Sequence, residues 1–384
     1  MDPQGFYDKL QKERVTKSDG FWFMSHYKDV SAFMKSPLVT NKLLGAPQNV
    51  PLREGLLQQD PPKHGQLRST VNAHLNQRPV AQLQDRVHDW IRCELEKKKH
   101  LGRMECMHFF GEVLPHLMLS LWFPLEAHER SNLLSIARRW ANRTSGDGSL
   151  KDIFAAQDQD LTIINRFFAS SIEKRISSGK HRGDVLDTLL EMEAANRISR
   201  SESLDMCLLL TIAGVETTVN ALGSCMVLLE ENPGVQEQLR SDRSLIPKFF
   251  EETLRLQPPV RYSSPRTPIE DLEINGLKIP AGTPLVGLFG AANRDPEAFD
   301  QPNRLIIGRK GNPHLGFGYG VHHCAGVHLA RVNAIAMLEN MFDLIPQWQV
   351  SHPSLWRRLT GKTAITWRPN FMLQGPEHVH IKWS

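Results

Sequence analysis

The sequence lacks the features that mark several large classes of protein. Its 46 lysines and arginines nearly balance its 42 aspartates and glutamates, so the formal charge is only +4, and no basic run is longer than Lys97-Lys98-Lys99. This balance excludes the basic surface typical of nucleic-acid-binding proteins, and we expect no nucleic-acid partner. The 384 residues contain no internal repeat, low-complexity tract or Ser/Gly-rich linker. We therefore expect one folded domain over residues 1–384.

Cysteines are few and are not arranged in pairs. There are five, an odd number, and no two of them have the CxxC spacing of a redox or zinc motif. Residues 1–6 also lack the basic and apolar regions of a secretory signal. Both absences favour a reducing compartment, and we expect a cytoplasmic protein. Four cysteines lie in segments with helical patterns, whereas Cys324 lies in a loop rich in glycine and histidine.

The apolar pattern predicts a mainly helical protein with small β-sheets. Leu, Ile and Phe recur at helical spacing from about residue 81 to residue 226. Strand patterns are shorter and lie at Phe21 to Met24, at Leu272 to Pro280 around an Asn275-Gly276 turn, at Thr283 to Leu288 and at His378 to Trp383. His378 and His380 alternate on the last strand, which we interpret as a solvated edge rather than a metal-ligand pair.

The segment Met206 to Leu229 is apolar and long enough to span a bilayer. Glu216, Thr217 and Thr218 lie at its middle, where an ionisable group is costly in lipid, and its flanks are acidic rather than basic. We therefore predict a long central helix buried in the protein and no membrane span. The polar residues at its centre then require an explanation.

A glycine-rich loop, residues 317–326, places Cys324 just before a predicted helix. Backbone N–H groups of a turn and of a helix N-terminus stabilise a thiolate, and glycines allow the close approach of a flat, bulky group. The loop is therefore a candidate metal site with a sulfur ligand. On the residues alone two alternatives stay open, which are an inert buried cysteine and a zinc ion bound by His322, His323 and Cys324.

The same loop resembles the signature of the cytochrome P-450 family, Phe-Gly-x-Gly-x-His/Arg-x-Cys-x-Gly. It matches at all six fixed positions, which are Phe317, Gly318, Gly320, His322, Cys324 and Gly326. The resemblance extends from about residue 20 to the C-terminus. It implies the cytochrome P-450 fold, with a large helical body, a long central helix over the haem and small β-sheets. It also implies haem b (iron protoporphyrin IX), with Cys324 as the iron ligand and Phe317, Gly318, His322 and Gly326 around the cofactor.

A second motif of the family lies in the long helix. Residues 213–218 (AGVETT) resemble Ala-Gly-x-Asp/Glu-Thr-Thr. The resemblance implies that Ala213 and Gly214 contact the haem and that Glu216 and Thr217 act in catalysis by relaying or positioning protons. Without Cys324, a buried helix whose threonines bond back to its own carbonyls would explain the segment as well.

Glu252 and Arg255, three apart in a predicted helix from Ile246 to Leu256, resemble the family's Glu-x-x-Arg pair. As an isolated pattern, an ion pair at this spacing is commonplace. The resemblance implies a buried structural pair that braces the loop under the haem together with a third partner. We expect that partner to be Arg304 rather than Arg309.

Four basic residues are the expected ligands of the haem propionates. Residues 60–68 (DPPKHGQLR) resemble the family's Asp-Pro-Pro-x-His-x-x-x-Arg, which implies that His64 and Arg68 reach the haem. The resemblance adds Arg266, which follows the Glu-x-x-Arg helix, and His322. Two carboxylates in an apolar cavity require such partners. For His64 and Arg68 the alternative is a pair of solvated surface cations.

The resemblance implies a haem-thiolate monooxygenase that inserts one atom of O2 into a mid-sized small-molecule substrate by hydroxylation or epoxidation, with natural-product biosynthesis as one setting. Alternatives are oxidative coupling or desaturation within the same family, and a non-enzymatic haem sensor. Because no flavin- or nicotinamide-binding domain fits beside the haem domain, we expect electrons from a separate ferredoxin or flavodoxin. Lys63, Arg309 and Lys310 are candidate docking residues for this donor.

The substrate pocket is expected to be lined by residues 43–57, 153–168, 209–215 and 260–264. These segments combine apolar side chains with the polar residues Arg261, Tyr262, Ser263 and Ser264. The mixture favours a mostly apolar molecule with some polar groups, and it does not distinguish between chemical classes of substrate.

Overall fold

Helices make up most of the structure, a computed structural model that describes residues 7, 9–42, 54–123, 125–143, 150–232, 234–351, 365–368 and 373–384. The content is 57% helix and 10% strand, which confirms the mainly α prediction. The helices are α1 (Tyr27–Lys35), α2 (Lys63–Leu75), α3 (Gln77–Ala81), α4 (Gln84–Glu96), α5 (Cys106–Trp122), α6 (Ala127–Arg143), α7 (Leu150–Ser178), α8 (Val185–Ala194), α9 (Arg200–Glu231), α10 (Val235–Ser241), α11 (Ile246–Leu256), α12 (Phe289–Ala292) and α13 (Val327–Leu344).

The described strands form four small sheets beside the helices. Their orders are β1-β2-β8, β4-β10-β9, β3-β5 and β6-β7, and β2 pairs with β8 in parallel. The strands are β1 (Val15–Ser18), β2 (Phe21–Met24), β3 (Val39–Thr40), β4 (Arg103–Glu105), β5 (Thr267–Pro268), β6 (Leu272–Ile274), β7 (Leu277–Ile279), β8 (Leu285–Gly287), β9 (Gln349–Val350) and β10 (His380–Lys382).

The predicted strands are all present, and five further short strands of the described chain were not predicted. Asn275 and Gly276 join β6 to β7 with φ angles of 48° and 80°, as the tight Asn-Gly turn of a hairpin requires. The sequence pattern does not reveal β1, β3, β4, β5 or β9. These strands have two to four residues and exist because distant segments pair with them, so they carry too few positions for a periodicity to be visible.

The long helix α9 is the central element, as predicted. It begins with a capping box in which the Ser199 hydroxyl accepts from the Glu202 N–H and the Glu202 carboxylate accepts from the Ser199 N–H. It is long and apolar enough to cross a membrane, but 78% of its most apolar window is buried inside the protein. This is the environment of a core helix, whose apolar side chains are buried against neighbouring helices and not against lipid.

Two glycines allow α5 to pack directly against α9. A Cβ atom on Gly214 would lie 2.8 Å from the Trp122 ring, and one on Gly223 would lie 2.5 Å from the sulfur of Met107. Real Cβ atoms do not approach so closely, so larger residues would force the helices apart. Glycine at these two positions therefore allows the two helices to pack closely.

One hydrophobic cluster brings the sequence motifs to the same region of the molecule. It contains Leu67 from α2, Val215 from α9 and Leu329 from α13, and Ala325 packs against it. These residues come from the segment with His64 and Arg68, from the AGVETT segment and from the cysteine loop. Burial of their apolar side chains thus positions three segments that are far apart in sequence.

Candidate functional site

The cysteine loop is a closed turn ahead of α13. The Cys324 N–H donates to the Phe317 carbonyl oxygen at 2.9 Å, and the His323 N–H donates to the Gly320 carbonyl oxygen at 3.0 Å. Gly318 and Gly320 have φ angles of 70° and 74°, in the left-handed region that glycine adopts without strain. These bonds hold the sulfur two residues before Gly326, which caps the helix.

Gly320 also contacts the end of α1 directly. A Cβ atom at this position would lie 2.5 Å from the carbonyl oxygen of Met34. The same Met34 oxygen accepts a hydrogen bond from Nη1 of Arg266 at 3.2 Å. The backbone at Met34 is therefore the point at which the cysteine loop and the segment around Arg266 are held together.

Cys324 differs from the other buried cysteines in its electrostatic surroundings. Burial raises the pKa of its thiol, and the Gly326 N–H and the positive charges of Arg68 and Arg331 offset part of that rise. Cys225, by contrast, is fully buried beside Thr253, and burial raises the pKa of its thiol to about 12. No arginine is among the groups that act on Cys225, whereas Arg68 and Arg331 lie near Cys324, where their charges would stabilise a thiolate.

The structure does not support zinc bound by the cysteine loop. The ring of His322 lies against His64, with the ring centres 4.3 Å apart, and His323 lies near Phe317, with the ring centres 6.3 Å apart. Within the described part of the chain, these two histidines and Cys324 do not form a group whose ligand atoms converge on one point. Adjacent side chains of this loop point in different directions, so they cannot surround a tetrahedral ion.

His64, Arg68, Arg266 and His322 form a cluster, named the cationic cluster for its two arginines, in which His64 and Arg266 are buried and Arg68 and His322 are partly exposed. Nε2 of both histidines and Nε of Arg266 are buried and have no hydrogen-bond partner among the described residues. Burial, followed by the charges of Arg266, His64 and Arg68, lowers the pKa of His322 to about 3. Burial lowers the pKa of Arg266 to about 10. Buried donors without acceptors are costly, so the cluster is suited to bind an anion.

The residues present therefore fit a haem with its two propionates. Two carboxylates would accept from the unsatisfied donors of the cluster, and the sulfur lies on the adjacent loop. Asp60, the acidic residue nearest in sequence, does not neutralise the cluster by hydrogen bonding, because its carboxylate accepts from the Thr40 hydroxyl at 2.5 Å and from the Asn41 N–H at 3.1 Å. The solvated-cation alternative fails for His64, which is 4% exposed.

The polar centre of α9 has one open side. Ala213 is exposed although residues 208–211 and 215–216 are buried, so this turn of the helix has one uncovered face. Thr217 lies one turn further on the same face, and its hydroxyl donates to the Ala213 carbonyl oxygen at 2.8 Å. Gly214 faces Trp122 of α5 rather than the uncovered face of α9. Its small size therefore allows the two helices to pack together.

Glu216 has a partner that sequence reasoning missed. Its carboxylate accepts from Nη1 of Arg368 at 3.0 Å, and the Arg368 side chain is partly exposed. Arg368 belongs to the C-terminal segment, more than 150 positions away in sequence. No local pattern marks it, because it lies in no motif and no regular element.

The expected Glu-x-x-Arg pair is fully buried. Nε and Nη2 of Arg255 each donate to the Glu252 carboxylate at 2.8 Å, and Arg255 also donates to the carbonyl oxygens of Asn293, Pro302 and Arg304. These bonds brace the segment that leads to the cysteine loop. Since both charges are satisfied, the pair is stable despite its desolvation.

The prediction that Arg304 is the third partner of this pair was wrong. Nε of Arg309 lies 3.1 Å from the Glu252 carboxylate, and its side chain is 6% exposed. The Arg304 side chain instead donates to Gln301 at the surface, and only its backbone oxygen reaches Arg255. The path of the loop places residue 309 rather than residue 304 opposite Glu252, and spacing alone does not reveal that path.

A second, partly exposed ion cluster lies beside the first and was not predicted. Glu251 accepts from Nε of Arg331 at 2.7 Å and bonds with Nε2 of His314 at 3.0 Å. Burial alone would raise the pKa of Glu251, but the bonds from His314 and Arg331 outweigh it and lower the pKa to about 2. The Arg331 guanidinium also lies over the Phe317 ring, 5.1 Å from its centre.

Two of the three expected docking residues are held in ion pairs within the chain. Lys63 pairs with Glu202 at 2.8 Å, and Arg309 is the buried partner of Glu252. Lys310 is exposed. On the cysteine loop itself, Val321 is 54% exposed, so the loop reaches the surface there.

Comparison with known proteins agrees with this geometry. The family model described as Cytochrome P450 matches residues 143–345, more than half of the chain. The chain belongs to the cytochrome P450 family. It is 29% identical to Cytochrome P450 109 of Bacillus spizizenii, over 89% of this chain and 84% of that protein. It is 28% identical to the mycinamicin IV hydroxylase/epoxidase of Micromonospora griseorubida, over 99% and 95%.

The fold agrees as closely with solved structures. The crystal structure of P450BioI, in complex with an acyl carrier protein ligated to hexadec-9Z-enoic acid, superposes with a TM-score of 0.89 at 25% identity, over 100% of this chain and 98% of that one. This cytochrome P450 is therefore a haem-dependent monooxygenase. It uses O2, an organic substrate and a redox partner.

Proposed function

We propose that residues 1–384 form one haem domain of a cytoplasmic monooxygenase, with Cys324 as the thiolate ligand of the iron. His64, Arg68, Arg266 and His322 bind the propionates, and Phe317, Gly318 and Gly326 shape the loop beneath the ring. The buried, unsatisfied donors of the cationic cluster are the observation that carries this assignment. Their desolvation is offset only when an anion accepts from them.

In the proposed mechanism a thiolate-ligated haem, when bound, supplies the activation of O2. The chain supplies position and protons. Glu216 and Thr217 occupy consecutive positions of α9, and Thr217 lies on the open face with Ala213. Arg368, which is partly exposed, holds the Glu216 carboxylate in one orientation, and we assign Glu216 and Thr217 to the delivery of protons.

The proposed substrate is a mid-sized, mostly apolar natural product of the polyketide class. The near full-length similarity to a mycinamicin IV hydroxylase/epoxidase supports this class. Residues 43–53, most of the pocket wall expected at 43–57, lie outside the described residues. The substrate class therefore rests on the relative and on the mixed polarity of residues 260–264.

The proposed electron donor is an acidic ferredoxin or flavodoxin that docks where the cysteine loop reaches the surface. Val321 is exposed there, three residues from Cys324. Lys310 is exposed, and Arg331, on the helix that follows the loop, is partly exposed. A donor of opposite charge would be steered to cations of this kind.

The absorption spectrum of the dithionite-reduced protein with carbon monoxide tests the iron ligand. We expect a strongly red-shifted Soret band in the wild type and its loss in Cys324→Ala. Replacement of two cluster residues, as in His64→Ala with Arg266→Ala, should lower the haem content per chain and leave the band position unchanged. A red-shifted band that survives in Cys324→Ala would overturn the assignment.

Reconstituted turnover tests the activity and the donor. The protein is incubated with NADPH, a ferredoxin–reductase or flavodoxin–reductase pair and a panel of polyketides and fatty acids, and products are identified by mass. Oxygenated polyketides at one product per O2 consumed support the proposal. Products that have lost two hydrogens without gaining oxygen would instead indicate coupling or desaturation. Reduction of the haem with no product from any panel member would contradict the proposed substrate class.

A further inference from the structure

A group of three metal-ligating side chains lies outside the haem site, where the C-terminal strand meets the start of α5. Glu105, His378 and His380 each offer a ligand atom, and these atoms lie within 4.8 Å of one another. The two histidine rings are nearly parallel, with centres 6.0 Å apart, and Nδ1 of His378 lies 3.9 Å from the Glu105 carboxylate. None of these residues takes part in the proposed mechanism.

Secondary structure holds the three residues in this arrangement. His380 is directly opposite Glu105 in the antiparallel pairing of β10 with β4. His378 lies two positions before His380, just ahead of β10, and its ring stacks on that of His380. Hydrogen bonds of Val379 with the Glu105 carboxylate and with the Cys106 N–H hold the chain beside His378.

Hydrogen bonds within the protein also fix the orientation of the Glu105 carboxylate. As the N-cap of α5 it accepts from the N–H groups of Met107 at 3.3 Å and His108 at 2.5 Å, and across the sheet it accepts from the Val379 N–H at 2.9 Å. A carboxylate has about four lone-pair sites, so one stays available. Hydrogen bonds that fix a ligating carboxylate are a regular feature of metal sites.

We infer that Glu105, His378 and His380 bind one zinc ion, or another late first-row divalent ion. Two imidazoles and one carboxylate suit such ions, whereas calcium and magnesium prefer oxygen ligands. Bonds of roughly 2.1 Å in tetrahedral geometry place ligand atoms about 3.4 Å apart, so the histidine side chains need only small rotations. Both histidines are exposed, which allows these rotations and leaves the fourth position to water.

The ion would connect the C-terminal strand to the helix that supports the site. α5 packs along α9, and Glu105 is the residue that begins α5. Because the ligands come from two segments more than 270 positions apart, the ion binds the folded chain and not the unfolded one. Zinc should therefore stabilise the native state.

Calorimetric titration with ZnCl2 tests the site on haem-loaded protein that carries no histidine tag and has been treated with EDTA. We expect one ion per chain, at least about tenfold weaker binding in His378→Ala and in His380→Ala, and unchanged binding in His128→Ala, an exposed histidine on α6. Zinc should raise the melting temperature of the wild type and of His128→Ala, and EDTA should reverse the rise.

Three results would overturn the inference. They are no saturable binding to the wild type, affinities of His378→Ala and His380→Ala equal to that of the wild type, or a loss in His128→Ala as large as in those variants. The reduced carbon monoxide spectrum identifies variants that have failed to fold. Glu105→Gln keeps an oxygen atom that can accept the hydrogen bonds of the helix cap. If Glu105→Gln binds zinc as tightly as the wild type, the Glu105 carboxylate is not a ligand.

Discussion

At the residue scale, the cysteine loop depends on a contact that has no room for a side chain. Gly320 combines a left-handed φ of 74° with a backbone oxygen of Met34 where its Cβ would be. Gly311 has a similar φ of 61°, and its Cβ would meet nothing within 4 Å. Alanine substitutions at the two positions therefore distinguish the free-energy cost of a left-handed backbone from the added cost of a steric clash.

Gly320→Ala should destabilise the protein more than Gly311→Ala. Both lose about 1–2 kcal/mol from the left-handed conformation, and Gly320→Ala loses a further 1–3 kcal/mol, roughly, because the loop must move away from Met34. Urea unfolding of the haem-loaded proteins measures the difference, and the haem content of Gly320→Ala should also fall. Equal losses in the two variants would show that the contact with Met34 is unimportant.

The two arginines near Glu252 should differ sharply on replacement. Arg309→Ala removes a buried partner of the Glu252 carboxylate and should cost about 3 kcal/mol of unfolding free energy. Arg304→Ala keeps the backbone oxygen that binds Arg255 and should cost less than about 0.5 kcal/mol. Denaturant unfolding of the two variants compares them, and a larger loss in Arg304→Ala would restore the third partner predicted from the sequence.

At the scale of elements, the contact between α9 and the C-terminal segment orients the Glu216 carboxylate at the centre of α9. Arg368 is the described residue that bonds the Glu216 carboxylate, and it does so from a segment without regular structure. The ion pair holds the carboxylate in one orientation at the centre of a helix in which the Thr211 and Thr217 hydroxyls bond back to helix carbonyl oxygens. In the proposed mechanism, proton delivery therefore depends on both elements.

Arg368→Leu should lower the amount of product formed per O2 consumed, by about threefold or more, if about 0.7 kcal/mol of orientation is lost. Arg368→Lys should restore much of the yield because it keeps the charge. The reduced carbon monoxide spectrum and substrate affinity should not change, since Arg368 contacts neither the cysteine loop nor the cationic cluster among the described contacts. An unchanged yield in Arg368→Leu would mean that Glu216 needs no partner.

At the scale of the whole molecule, Glu251 connects three parts of the fold. It lies on α11, and it binds His314 in the segment before the cysteine loop and Arg331 on α13. Its pKa in the folded protein is about 2, against an ordinary value of 4.5. A lowered pKa means that the ionised form stabilises the folded state, by about 3 kcal/mol as an order of magnitude.

The stability contributed by Glu251 should therefore depend on pH in one direction. It is present in full above about pH 4.5 and is lost progressively as the pH falls towards 2, because the carboxylate then becomes protonated. Glu251→Gln should be less stable than the wild type at pH 7, and the gap should narrow below pH 4.5. Denaturant unfolding of both proteins at pH 7, 4.5 and 3.5 checks this, and a gap that is constant or widens over that range would contradict it.

The motifs could be read from the sequence because their residues are close together in the chain. Cys324, its glycines and its histidines share ten positions, His64 and Arg68 are four apart on one helix, and Glu252 and Arg255 are three apart. The helical period determines which of these side chains share a face before any tertiary contact is known. For that reason the central helix and the family were predictable.

The contacts between motifs were not predictable in the same way. The choice of Arg309 over Arg304, the pairing of Arg368 with Glu216 and the third ligand that Glu105 adds to His378 and His380 all join segments at least 55 positions apart. Such contacts depend on the paths of loops and on strand register, which local patterns do not encode. The sequence by itself determined the elements and the chemistry available on each, because both follow from periodicity and residue type. Only the tertiary structure decided which charges meet, because burial of distant apolar faces against one another sets those distances.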